Sequence, residues 1–131
     1  MKRIALLLGA ALLFSGFAQA ATKPVIRLGA RVFTEQTVLA EITARYLNQN
    51  GFDVRITGGL GSNLARSAHE TGQLDMVWEY TGVSLVSYNH IEERMPSAAA
   101  TYAKVKELDA KKGLIWLAPS KFSNTYALAL P

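Results

Sequence analysis

The hydrophobic rhythm changes several times along the chain. "VIRLGAR" (25–31) is a short strand-like run, and over 33–50 the spacing becomes helical, with Val38, Leu39, Ile42, Tyr46 and Leu47 on one stripe. Thr34 stands where an N-cap belongs, Glu35 falls in the first turn, and Gly51 lies just past the end as a terminator. "FDVRITG" (52–58) alternates Phe52, Val54 and Ile56, the period of a strand. "GGLGSN" (58–63) reads as a glycine-rich turn into a helix over 63–71, which Gly72 ends. Residues 74–79 give a third strand, and a short helical piece follows around 83–88. Pro96 and Ser97 open a helix that runs to Lys112, with Tyr102, Val105 and Leu108 inward and Gly113 as terminator. "LIWLAP" (114–119) and "TYALAL" (125–130) read as further strands.

Strands that alternate with helices predict an α/β fold, an open and mostly parallel sheet flanked by helices. In such sheets ligands bind beyond the carboxyl ends of the strands. That rule selects four places: 30–34, 58–63, 79–83 and 118–124.

The first twenty residues follow a different logic. Lys2 and Arg3 precede the apolar run "IALLLGAALLFSGF", and "AQA" at 18–20 supplies a small-residue cleavage pattern. The run is 14 residues long, short of the roughly 20 that a membrane span needs. Residues 1–20 are therefore expected to be a signal peptide, and 21–131 are enough for one modest domain. The whole chain carries 14 basic and 10 acidic residues, a net charge of +4. Without Lys2 and Arg3 the balance is 12 against 10, a net of +2, and no basic cluster remains to attract nucleic acid. With no cysteine, neither disulfides nor a lipid-anchoring cysteine are available. A periplasmic protein without a lipid anchor is the expectation.

The candidate chemistry is that of binding. "GGLGSN" lacks the GK[ST] ending of a phosphate loop, so it is either a tight turn or a set of exposed N–H groups for an anionic ligand. In "ARVFTEQ" (30–36), Arg31 is either a solvated cation or, with the N–H groups near Thr34, a clamp for a carboxylate. Phe33 fits a hydrophobic staple. Tyr80 and Tyr126, at or beside strand ends, are either half-buried packing residues or ring faces for a cation. Glu79 beside Tyr80 is a supporting acid. His69 and His90 show no metal-ligand spacing, and Ser62, Ser84, Ser87 and Ser123 lie in no nucleophile elbow, so neither a metal nor a cofactor is called for. An enzyme using Glu35, Asp75 or Glu79 would need a paired acid or nucleophile that the sequence does not place.

The order "GARVFTEQ", "GGLGSN", "GQLDMVWEYTG", "FSNTYAL" resembles the substrate-binding proteins of osmoprotectant (glycine betaine, choline, carnitine) ABC transporters. The resemblance runs from about Val25 to Pro131. It implies the first lobe of a two-lobed type II periplasmic binding protein, truncated before the second lobe. It further implies Tyr80 and Tyr126 as walls of an aromatic cage, and Arg31 at the ligand carboxylate or the cleft rim. Phe33, Thr34, Ser62, Asn63, Thr81 and Asn124 are the other implied cleft residues. Val83 stands where relatives often carry a threonine. The implied partners are a small quaternary ammonium ligand and an inner-membrane permease. Two alternatives remain: the same fold binding another small solute such as an amino acid, or a non-functional truncated fragment.

Overall fold

The computed structural model describes residues 22–125 and 129. The expected signal peptide, Tyr126 and nearly all of the strand expected over 125–130 lie outside the described residues. Three parallel strands, β1 (Val25–Arg31), β2 (Asp53–Leu60) and β3 (Met76–Val77), form a sheet in the order β2-β1-β3. Helices α1 (Thr34–Gln49), α2 (Ser62–Glu70), α3 (Thr81–Val83) and α4 (Ala98–Ala110) connect and cover it, and α3 continues directly into a π-helical turn, Ser84–Tyr88.

β1 is the central strand, and its last four residues, 28–31, are all buried. Consecutive burial marks a strand covered on both faces: α1 packs on β1 and β2, while α2 packs on β1 and β3. Leu28, Ala30 and Ala40 form the innermost cluster, with Val54 and Met76 against it. At Gly29 an added Cβ would meet Leu74 Cδ1 at 2.6 Å and Val77 Cγ1 at 3.1 Å. Gly29→Ala is therefore expected to cost about 1–3 kcal/mol through overpacking, read by urea denaturation. A variant as stable as the parent would show that Leu74 swings clear.

The α/β order and the parallel sheet agree with the sequence reading, but several details do not. The inward face of α1 is Gln36, Ala40 and Ala44, whereas Val38, Ile42 and Tyr46 are 51%, 59% and 65% exposed. Ala40 and Ala44 are small enough to let the helix approach the sheet closely, and Gln36 is held inward by its hydrogen bond to the Trp78 carbonyl. Thr34 is the first helical residue instead of the N-cap, a position held by Phe33 without a side-chain cap among the described residues. "GGLGSN" is not a turn. Gly58, Gly59 and Leu60 belong to β2, and the register slips between Gly29↔Thr57 and Arg31↔Leu60, a bulge that Gly59 permits at φ +72°. β3 is shorter than expected because only Met76 and Val77 pair with β1. "LIWLAP" forms no strand among the described residues. Leu114 is buried, but Ile115 and Leu117 are largely exposed, for no neighbouring strand accepts them.

Candidate functional site

All three strands run in one direction, so their carboxyl ends meet at one edge of the sheet. β1 delivers Arg31 there, β2 delivers Leu60 and then Ser62, and β3 delivers Trp78, Glu79 and Tyr80. The Val32 amide donates to the Leu60 carbonyl at 3.2 Å and ties the first two junctions together.

One part of this edge is built from "RVFTEQ" (31–36) and "VWEYTG" (77–82). Arg31 is only 3% exposed, which overturns its reading as a solvated cation. Its Nη2 donates to Glu79 Oε1 at 2.7 Å and to the Trp78 carbonyl at 3.0 Å. The same carbonyl accepts from Gln36 Nε2 at 3.1 Å. Glu79 Oε1 also accepts the Tyr80 amide at 2.8 Å. The guanidinium carbon lies 5.0 Å from the centroid of the Tyr80 ring, within the range of a cation–π contact. Trp78 turns the other way, and its indole N–H donates to Thr43 Oγ1 on α1 at 3.0 Å. The strand end thus fixes one aromatic ring by two contacts, Glu79 on the Tyr80 amide and Arg31 over the ring, and Glu79 also pairs with the Arg31 charge. The Tyr80 hydroxyl is buried and has no hydrogen-bond partner among the described residues.

The other implied residues fall into two groups. Thr34 and Asn124 line one shallow open depression of about 480 Å³, together with Glu35, Val38, Leu39 and Phe122–Thr125. Asn124 Nδ2 donates there to Glu35 Oε2. Phe33 is 43% exposed beside it in sequence, and its carbonyl accepts the Thr37 amide. Ser62 and Asn63 start α2, and the Ser62 carbonyl accepts the Tyr88 hydroxyl at 3.1 Å. Thr81 starts the helical run behind Tyr80. The structure therefore joins Arg31 to Tyr80 and Thr34 to Asn124, while Ser62 is tied to the helices behind the sheet edge.

Those helices hold a polar network that the sequence reading did not foresee. Asp109 on α4 is 0% exposed. It receives Arg66 Nη1 and Nη2 at 3.1 and 2.6 Å, Ser84 Oγ at 2.8 Å, Asn89 Nδ2 at 2.9 Å and Trp116 Nε1 at 2.7 Å. Burial opposes ionisation, but these hydrogen bonds outweigh it and hold the carboxyl well below the usual carboxylate range. His69, half-buried, is pushed down by desolvation and by nearby Arg66. Among the described residues no group of His, Asp and Glu has metal-binding geometry, and no helix is long and apolar enough to cross a membrane.

An open parallel sheet that gathers an aromatic ring and polar groups at the carboxyl ends of its strands is the architecture of a small-solute-binding α/β unit. Residues 24–131 match the family described as the substrate binding domain of the ABC-type glycine betaine transport system, and the chain belongs to that family. It is 57% identical over 122 residues to the glycine-betaine-binding protein of Pseudomonas aeruginosa, covering 93% of this chain and 38% of the relative. It is 32% identical over 108 residues to the glycine betaine-binding protein YehZ of Escherichia coli, covering 80% of this chain and 35% of that relative. The chain thus spans little more than a third of the length of these relatives.

Proposed function

We propose that residues 21–131, after cleavage of an export signal at 1–20, form the first lobe of a periplasmic binding protein for quaternary ammonium osmolytes such as glycine betaine or choline. The lobe does no chemistry. It contributes one wall of a cleft, a second lobe supplies the other, and closure around the ligand makes the form that an inner-membrane permease accepts. The observation that carries this reading is the Tyr80 ring, held at the sheet edge by Arg31 and Glu79. A trimethylammonium group donates no hydrogen bonds, so a ring face serves it better than a polar pocket, by about 0.5–2 kcal/mol per contact. Tyr126 would be a second ring. Thr34, Phe33, Asn124, Ser62, Asn63 and Thr81 would line the rim, where polar groups meet the ligand's other end. Arg31, already paired, acts on the ligand through Tyr80 more than by direct grip.

The test is calorimetry with glycine betaine, choline, carnitine and proline. It is run on the mature chain, alone and joined to the part of the Pseudomonas relative beyond the match. At least one quaternary ammonium compound should bind. Tyr80→Ala should then weaken it about tenfold, the value of one good ring contact, while Tyr80→Phe, which removes only an unsatisfied hydroxyl, should leave it nearly unchanged. No heat with any quaternary ammonium compound, alongside tight proline binding, would move the assignment to an amino acid.

A further inference from the structure

Two of the proposed ligand-facing junctions are anchored from behind by one carboxylate. Ser84 lies one turn into the helix that follows Tyr80. Its amide donates to the Tyr80 carbonyl at 2.9 Å, and its hydroxyl donates to Asp109 Oδ2 at 2.8 Å. Asn89 closes the same turn by donating to the Ser84 carbonyl at 2.9 Å and to Asp109 Oδ1 at 2.9 Å. On the other side, Arg66 lies one turn into α2 from Ser62. It forks onto both Asp109 oxygens and places its guanidinium carbon 4.9 Å from the Tyr88 ring centroid. Tyr88 in turn donates its hydroxyl to the Ser62 carbonyl. Each chain of contacts starts at Asp109 and ends at a residue beside the sheet edge.

We propose that Asp109 is a positioning residue, which fixes the Ser62–Asn63 junction and the Tyr80–Thr81 junction relative to one another without touching either. The ligand-facing part of this inference rests on the proposed function, but the positioning does not. Charge makes the hub directional. A buried carboxylate accepts from donors placed around it, so Arg66, Ser84, Asn89 and Trp116 each have one favourable approach. A π-helical turn spans Ser84–Tyr88, and such turns cost regular helical hydrogen bonding. Here it brings Ser84 and Asn89 to the same carboxylate while Tyr88 reaches Ser62.

Amide hydrogen exchange on the 131-residue chain tests the idea. Asp109→Asn should speed exchange of the Ala65 and Ser84 amides, the first in each junction to have an acceptor (the Gly61 and Tyr80 carbonyls), by about tenfold or more, the scale of an unmet buried hydrogen bond, while β1 and β2 amides stay unchanged. Ser84→Ala should loosen only the amide at 84, and Tyr88→Phe only that of Ala65. If Asp109→Asn does not fold, that partition between the two milder variants decides the question. Uniform acceleration that includes β1 and β2, or no change at either junction, would overturn the positioning role. Glycine betaine and choline titrations of the same samples separate the two claims. A parent chain that binds neither, yet shows the partitioned exchange, keeps Asp109 as a positioning residue and removes the ligand from its description.

Discussion

Replacing Arg66 with methionine should remove about 3–5 kcal/mol of stability, because it leaves the Asp109 carboxylate buried without its cation. Ser84, Asn89 and Trp116 still donate to it, but neutral donors offset less of the desolvation than a forked guanidinium does. The loss is a large share of the 5–15 kcal/mol typical of a domain, and the stem of methionine preserves most of the packing. The double variant Arg66→Met/Asp109→Asn should recover part of the loss, since no charge is then buried. Dependence on pH gives a second readout with a definite sign. In the parent, the folded carboxyl titrates below its unfolded value of about 3.9, so its stabilisation is present above that value and fades as pH falls further. In Arg66→Met the folded carboxyl titrates above the unfolded value. That variant should gain on the parent as pH falls from neutrality toward about 4. The exposed Asp75 carboxyl, held down to about 2 by the hydrogen bonds of Arg27, fades in both proteins and cancels in the difference. Urea denaturation from pH 7 to 4 measures all of this when parent and variant both carry His69→Gln, because Arg66 also pushes the His69 imidazole down. A constant difference across that range would mean that Asp109 is not the group left unpaired.

What the sequence made legible was local. The ends of α1, α2 and α4 were marked by Gly51, Gly72 and Gly113, and each adopts a positive φ that only glycine takes freely. The start of α4 at Pro96 and Ser97 was readable too, and the structure makes Ser97 its N-cap, with the hydroxyl accepting the Ala100 amide at 3.1 Å. The face of α1 was not readable from hydrophobicity. Contact with the sheet selects Ala40 and Ala44 for size, so the larger apolar residues Val38, Ile42 and Tyr46 are left outside. "LIWLAP" has strand composition, but a strand also needs a neighbour to pair with. Trp116 there turns inward to Asp109 and packs edge-on against Tyr102 at 6.3 Å.

At the sheet edge, the position of Tyr80 was legible from the strand–helix order alone. The partnership of Arg31 was not. Glu79 lies 48 positions away, and nothing in either local pattern couples them. Asp109 follows Val105 by one helical turn and faces inward with it, so its burial was open to inference. Its four donors come from three separate segments, and only the tertiary structure brings these together.

The second large effect concerns that hidden partnership. Glu79→Gln should weaken choline binding by more than tenfold and glycine betaine binding by clearly less. Arg31 sits 5.0 Å from the Tyr80 ring centroid, so an ammonium ion on the far face of the ring would lie about 9 Å from the guanidinium. Two like charges at about 9 Å repel by about 2 kcal/mol at an effective dielectric of about 20, or about thirtyfold in affinity. In the parent, Glu79 lies 2.7 Å from Arg31 and cancels most of that field. Glutamine keeps the hydrogen-bonding shape and removes the charge. Choline, a simple cation, then meets the whole repulsion, whereas the carboxylate of glycine betaine is attracted by the same guanidinium and offsets part of it. Adding salt should narrow the gap only slightly, because a pair this buried is poorly screened. Equal losses for the two ligands, or a gap that 0.5 M salt erases, would limit Glu79 to holding the backbone at the Tyr80 amide. Selectivity would then be decided by groups other than the charge behind the ring.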